Sequence, residues 1–388
     1  MAPFEVMDVV RAARERDESR RPGDPTTCHL EVGQPGHATP AAVRDAARAA
    51  LDGPLPYTEG LGTPELRARI ARFYDERYGV EVDPGRIAVT GGASAGCVLA
   101  FLAAFDIGGR VALGEPGYPC YANILDALGI EAVGLPIGAD TKYQLTAGAL
   151  DRAGPLDGVV VASPSNPTGA VMGTEELQGL AGWCRAHDAL LLVDEIYHGI
   201  TDRPVPTAAA LDHTVVIQSF SKYFCMTGWR LGWLVVPPEL VRPVERLAQN
   251  FYLCPPTLSQ VAALAAFDAT AELDAHAEGY RRNRRVLLAA LERAGVDDIA
   301  PAEGAFYVWA DLGAWGRSGE LCGQWLDEIG VACTPGTDFD PRRGEDFVRF
   351  SVAGPADEVA EASRRLEAWL VGHRAPHSST RPAGGSPP

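Results

Sequence analysis

Basic side chains are scarce in this chain: 34 Lys and Arg stand against 51 Asp and Glu, a formal net charge of −17. Nucleic acid and anionic membranes are recognised through basic patches, so neither is an expected partner. No uninterrupted apolar run approaches the ~20 residues of a membrane span. The opening Met-Ala-Pro-Phe-Glu-Val-Met-Asp lacks both a basic start and a long apolar stretch, so no secretory signal is expected. Eight cysteines are scattered, without a C-x-x-C pair or a His/Cys cluster. That argues against zinc and for a reducing, cytoplasmic setting. The chain does have size and apolar content: 388 residues, 46% hydrophobic and 22% charged. One core rarely grows beyond ~250–300 residues, which predicts two domains.

Three apolar runs organise the middle of the chain. They are Asp157–Ser163, Ala189–Val193 and Thr214–Gln218. None alternates with polar residues, which predicts strands buried on both faces of a parallel sheet. Between the first two, Thr174–His187 has a Thr cap, an early Glu pair and helical apolar spacing, so the unit reads βαβ. Each run ends in polar residues: Pro-Ser-Asn-Pro-Thr-Gly (164–169), Asp-Glu-Ile-Tyr (194–197) and Ser-Phe-Ser-Lys (219–222). Ligands of open α/β sheets bind beyond these carboxyl ends, where Asn166, Asp194 and Lys222 fall.

A lone amine at a buried strand end suits imine chemistry. Ser219, Ser221 and Arg230 are near enough in sequence to hold a phosphate beside it, so Lys222 is a candidate to carry pyridoxal phosphate as a Schiff base. Asp194 could keep a pyridine nitrogen protonated, and Tyr197 and Asn166 could hydrogen-bond the ring oxygen. Burial and a cationic ring would lower the Lys222 pKa and fit it to carry protons. Taken singly, Asp194 could be a helix cap, Tyr197 a packing residue and Asn166 the start of a turn. Arg86–Thr90 is read as a strand and Ser94–Ala104 as a helix, with Gly91 and Gly92 letting an anion approach the helix N-terminus.

In this order the segments resemble the fold-type I, class I/II aminotransferases that use pyridoxal phosphate. The likeness runs from about Leu30 to Trp369. It is carried by Glu-Val-Gly-Gln-Pro (31–35), Tyr-Thr-Glu-Gly-Leu-Gly (57–62), Thr-Gly-Gly-Ala-Ser (90–94) and Pro-Gly-Tyr-Pro-Cys-Tyr (116–121). The strand-end motifs above, Gly-Trp-Arg-Leu-Gly (228–232) and Val-Arg-Phe-Ser (348–351) complete it. The resemblance implies an α/β fold with a three-layer, mainly parallel large domain and a smaller α+β domain. It further implies that Ala93 and Ser94 add backbone amides to the phosphate site and that Tyr118 stacks on the cofactor ring. Arg349 would hold the substrate α-carboxylate opposite Gly33. Tyr57 would reach the phosphate of a neighbouring subunit, making a homodimer with shared sites. The implied reaction moves an amino group between an L-amino acid and a 2-oxo acid.

Other readings use some of the same residues. Gly92-Ala-Ser-Ala-Gly96 fits a serine-hydrolase elbow at Ser94, with Asp194 and His198 or His213 as partners. It would leave Lys222, Arg230 and Arg349 without roles. A C–S β-lyase shares the whole cofactor site. A non-catalytic regulator would need a basic DNA-binding module, for which no segment is left.

The expected organisation is a large domain over 45–270, a small domain from 1–44 plus 271–372, and a disordered tail over 373–388, which is rich in Pro, Ser and Gly. Residues 6–16 should be helical. Thr39-Pro40 should cap a helix reaching Leu51, and Thr63-Pro64 one closed by Gly79. Glu239–Asn250 and Leu258–Phe267 should be helices, and a long helix should start near Glu272. Its Arg281, Arg282, Arg284 and Arg285 are expected on a solvated face. Gly304–Trp309 and Phe347–Ser351 read as strands of the second domain, and a loop over 338–340 as a cover for the site. Arg349 alternates with Val348 and Phe350, which by itself suggests a surface arginine. Phe251, Tyr252, Phe306 and Tyr307 are candidate walls for an apolar or aromatic substrate side chain.

Overall fold

The computed structural model describes residues 5–373. Strands, in chain order, are β1 (Cys28–His29), β2 (Ile87–Thr90), β3 (Arg110–Glu115), β4 (Glu131–Pro136), β5 (Gly158–Ala162), β6 (Leu190–Asp194) and β7 (Thr214–Ser219). They continue with β8 (Gly232–Val235), β9 (Tyr307–Asp311), β10 (Val331–Ala332), β11 (Thr334–Pro335) and β12 (Phe347–Ser351). The helices used below are α1 (Val6–Ser19), α2 (Ala41–Ala50), α3 (Pro64–Tyr78), α4 (Ala93–Ala104) and α5 (Cys120–Ala127).

A seven-stranded sheet, ordered β2-β8-β7-β6-β5-β3-β4, forms the main layer. From β7 to β4 neighbouring strands are parallel, and only β8 runs against its neighbours β2 and β7. Strands β6 and β7 are buried at every position, as unalternated apolar runs require when helices cover both faces. Their shared direction brings the ends of β5, β6 and β7 to one edge, with Ala162 paired to Asp194 and Asp194 to Ile217.

A second sheet, β11-β12-β9, is antiparallel. The chain's beginning returns to it. Cys28 and His29 pair with Val331 and Ala332 in a separate two-stranded parallel sheet, β1-β10, and the Ser351 amide of β12 donates to the Leu30 carbonyl at 2.7 Å. Val9 and Ala13 of α1 pack against Leu326 and Ala332, which seats α1 on this unit.

Local signals were borne out where they act locally. Thr63 accepts from the Leu66 amide at the start of α3, and Gly79 closes that helix at φ 64°. The helices at Pro238–Phe251, Thr257–Ala266 and Thr270–Ala294 lie where expected. Other details differ. Thr39 does not cap α2: its hydroxyl donates to the Cys225 carbonyl and accepts from Trp229 Nε1, leaving Pro40 at the cap. Thr174 is the first helical residue behind Gly173 and makes no capping bond. β9 begins at Tyr307 and runs past Trp309 to Asp311, shifted from the expected strand.

Arg284 leaves the solvated face. It is 2% exposed, donates to the Ala305 carbonyl at 2.7 Å and pairs with Asp202. Arg282 and Arg285 do face solvent. The expected tail, apart from His373, lies outside the described residues. Among the described residues no helix is long and apolar enough to cross a membrane.

Candidate active site

The ends of β5, β6 and β7 open into a cavity of about 270 Å³. Asn166, Asp194, Tyr197, Ser219, Ser221, Lys222, Arg230 and Arg349 line it, with Gly33, Ala93, Ser94 and Tyr118. Sequence reading had named each of these. Tyr57 is not brought there: it is 80% exposed, on the surface.

Lys222 follows β7 by three residues and is half-buried, its Nζ donating to the Gly33 carbonyl at 2.6 Å. Burial, reinforced by the positive charges of Arg349 and Arg230, lowers its pKa from 10.5 to about 8, while Asp194 opposes the shift. A Cβ at Gly33 would lie 2.0 Å from the Tyr307 hydroxyl, so a side chain there would displace that buried ring.

Asp194 is 2% exposed. Its carboxylate accepts from the Tyr121 hydroxyl at 2.5 Å and the Ile196 amide at 3.0 Å. Burial raises its pKa to about 6 despite these donors. A carboxylate so placed, held by neutral donors, suits a cationic ring nitrogen as partner. Tyr197, from the turn after β6, shares a hydrogen bond with Tyr307 at 2.8 Å between hydroxyls.

Arg349 stands mid-strand in β12 yet is 2% exposed, so the surface reading of that arginine is overturned. All five β12 residues are buried because the unit's helices and the cavity cover both faces. Its Nη1 donates to Asn166 Oδ1 at 3.2 Å and its Nη2 to the Glu31 carbonyl at 2.7 Å. Tyr307 and Phe339 flank the guanidinium at 4.7 and 4.6 Å. Nε is buried and makes no hydrogen bond among the described residues. A buried donor left open in this way is ready for an anion.

The phosphate-type cradle lies opposite. α4 begins behind Gly92 at φ 94°, where no side-chain cap occupies the first-turn amides. A Cβ on Gly92 would meet Arg230 Nη2 at 2.7 Å, so the guanidinium packs directly on this turn. Ser219 Oγ accepts from the Ser221 amide at 3.0 Å and also faces the Leu231 carbonyl, so that hydroxyl is partly engaged by the protein.

Tyr121, Val6, Met7, Val10, Val32 and Ile124 line the cavity without having been expected there from sequence. Tyr121 supports Asp194 from the first turn of α5, three positions after Tyr118, which precedes that helix. Of the four expected wall residues only Tyr307 lines the cavity. Phe306 does not line the cavity; it packs edge-on against Tyr197 and Tyr280, with its ring 6.0 Å from Lys222 Nζ. Phe251 is 58% exposed, and Tyr252 packs among the residues behind α4. The apolar wall instead comes from Val6, Met7 and Val10 of α1, with Val32 and Ile124.

The hydrolase reading fails on position. Ser94 lines the cavity, but neither His198 nor His213 does. His198 is buried against the Tyr78 hydroxyl, and His213 sits beside Glu239.

The family described as Aminotransferase class I and II matches residues 26–366. The chain belongs to the class I and II aminotransferases. It is 50% identical over 377 residues to the valine–pyruvate aminotransferase of Mycobacterium tuberculosis, covering 95% of this chain and 96% of that protein. The crystal structure of an aminotransferase from M. tuberculosis superimposes with a TM-score of 0.92 at 49% identity, over 96% of this chain and 97% of the other. A single mutant of the Thermus thermophilus aspartate aminotransferase gives a TM-score of 0.88 at 30% identity, over 95% and 97%. This aminotransferase therefore has the fold expected from its motifs and catalyses amino-group transfer. The names of these relatives do not favour the lyase reading, and use of pyridoxal phosphate is implied by the family.

Proposed function

We propose that this aminotransferase binds pyridoxal phosphate through Lys222 and exchanges amino groups between small aliphatic L-amino acids and 2-oxo acids. One observation carries the reading. An amine of lowered pKa, a buried carboxylate, an anion-ready helix turn and an arginine with an open Nε share one cavity. The donor set fits the cofactor at each end. Lys222 would hold its carbonyl carbon, Asp194 its ring nitrogen, Asn166 and Tyr197 its ring oxygen, and Tyr118 its face. Ala93, Ser94, Ser219, Ser221 and Arg230 would form the phosphate site. When bound, pyridoxal phosphate supplies an electron-withdrawing ring that makes the amino acid's α-proton acidic.

The chain's own groups do the rest. Arg349 orients the α-carboxylate, with Asn166 and the Glu31 carbonyl fixing its fork. Lys222, neutral above about pH 8, takes the α-proton and returns it. Tyr121 keeps the Asp194 carboxylate in place.

The aliphatic preference rests on the α1 wall, and the valine named for the M. tuberculosis relative supports it. A homodimer is supported by exposed Leu55, Tyr57, Phe251 and Leu253. They form one patch, since Thr257 Oγ1 donates to the Pro56 carbonyl and the Thr58 amide contacts Cys254 Sγ. Tyr57 would then complete the neighbour's phosphate site. Eight free cysteines support a cytoplasmic setting. The division into 45–270 and 1–44 plus 271–372 draws support from the pairing of 28–30 with 330–332.

The test is a panel of amino acids given singly to the loaded enzyme, read as conversion of bound cofactor to its amine form. L-Valine and L-alanine should convert it faster than L-aspartate or L-phenylalanine. A preference for aspartate would overturn the aliphatic assignment.

A further inference from the structure

The wall formed by α1 is held from a distant part of the chain. The Asp338 carboxylate accepts from the Glu5 amide through one oxygen and from the Val6 amide through the other, both at 2.8 Å. These are first-turn N–H groups, which no residue of α1 itself caps. Thr337 adds a bond from its hydroxyl to the Glu5 carboxylate at 2.7 Å.

The turn bearing Asp338 also touches the other parts of the site. Phe339 lies on the Arg349 guanidinium, and its carbonyl accepts from the Gly117 amide at 2.9 Å, one residue before Tyr118. Gly336, which starts the turn, could not carry a side chain: a Cβ would sit 2.5 Å from the Phe347 carbonyl. The turn is therefore wedged tightly beside the strand that carries Arg349. A second cavity of about 360 Å³ adjoins the first and shares Tyr118 and Asn166 with it. Glu5 and Asp338 line the second cavity and Val6 the first, so the clamp lies on their boundary.

We infer that Asp338 is a positioning residue for substrate selection: it fixes the first turn of α1 as the apolar side-chain wall, in register with Arg349. This rests on the transaminase reading of the cavity. Val6 and Val10 then meet the substrate's side chain at a set distance from the point where its α-carboxylate is held. Release of the clamp lets the wall retreat and joins the two cavities. Contacts to a branched side chain are lost, whereas alanine, with one methyl group, loses little.

The experiment compares loaded wild-type enzyme with Asp338→Asn, which keeps one acceptor, and Asp338→Ala, which keeps none. Hydrogen exchange of the amides over 6–10 should quicken in the order wild type, Asn, Ala. KM for L-valine should rise on the order of tenfold in the alanine variant, with kcat little changed. The kcat/KM ratio of L-valine to L-alanine should fall by a similar factor, ~10, within what a hydrophobic pocket discriminates. Thr63→Ala, which removes a cap remote from the cavity, should lower stability and leave that ratio alone.

Wild-type exchange rates over 6–10 in Asp338→Ala, or an unchanged valine-to-alanine ratio, would overturn the inference while the enzyme reading stands. Wild-type protein that fixes no cofactor on Lys222 would overturn the reading beneath it.

Discussion

The floor and the roof of the cavity are built by different means. The floor is the ends of β5, β6 and β7, where Asp194 and Ser219 are each 2% exposed and sit on strands buried throughout. The roof is α1 and the 336–340 turn, joined by contacts such as Glu5 to Asp338 across 333 residues. Rigid strands suit groups that must meet reacting atoms within tenths of an ångström. A clamped helix suits a surface that differs from one substrate to another.

That contrast can be broken at either side. The largest effect expected short of removing the amine is at Arg349. Arg349→Ala should lower kcat/KM for amino acids by ~10²–10³, the usual cost of truncating one side of a buried charge pair. Arg349→Lys should recover only part, since a point charge cannot reproduce the fork to Asn166 and the Glu31 carbonyl. Steady-state kinetics over several amino acids would show a loss common to all of them. A loss confined to valine would assign Arg349 to the roof. Roof variants at Asp338 should cost about tenfold and should discriminate among side chains.

A smaller effect, in pH dependence, isolates the floor. Below about pH 8 the Lys222 amine is protonated and cannot attack a carbonyl; above it the neutral form prevails. The rate at which cofactor-free enzyme captures pyridoxal phosphate should therefore rise through about pH 8 and level off, well short of the ordinary 10.5. Arg349→Ala removes a positive neighbour and should move that midpoint upward. A midpoint near 10.5 in the wild type would show that Lys222 is not desolvated as described.

The same contrast explains what was legible. Asp194, Asn166 and Lys222 could be placed from sequence because each follows an unalternated apolar run whose strand end is fixed by local composition. Arg284 was also within reach: Tyr280, Arg284, Leu287 and Leu291 follow a 4-3-4 spacing that puts it on the buried stripe of its helix. It was obscured by three neighbouring arginines. Thr39 shows the reverse case. Thr-Pro is a good cap signal, yet its hydroxyl finds partners at Cys225 and Trp229, 186 and 190 residues away. A helix over 6–16 and a covering loop over 338–340 were legible, but the clamp between them had no local signal, because it exists only once both ends of the chain meet. Chemistry here is written in short patterns, and selectivity in long-range pairings.

The chain has two lysines, Lys222 in the cavity and the exposed Lys142. Borohydride reduction of enzyme loaded with pyridoxal phosphate, followed by peptide mass mapping, therefore tests the central claim most directly. One cofactor mass per chain is expected on the peptide containing Lys222, with none in Lys222→Ala and transamination there reduced by about 10⁴. Label on Lys142 alone, or full activity in Lys222→Ala, would contradict that claim.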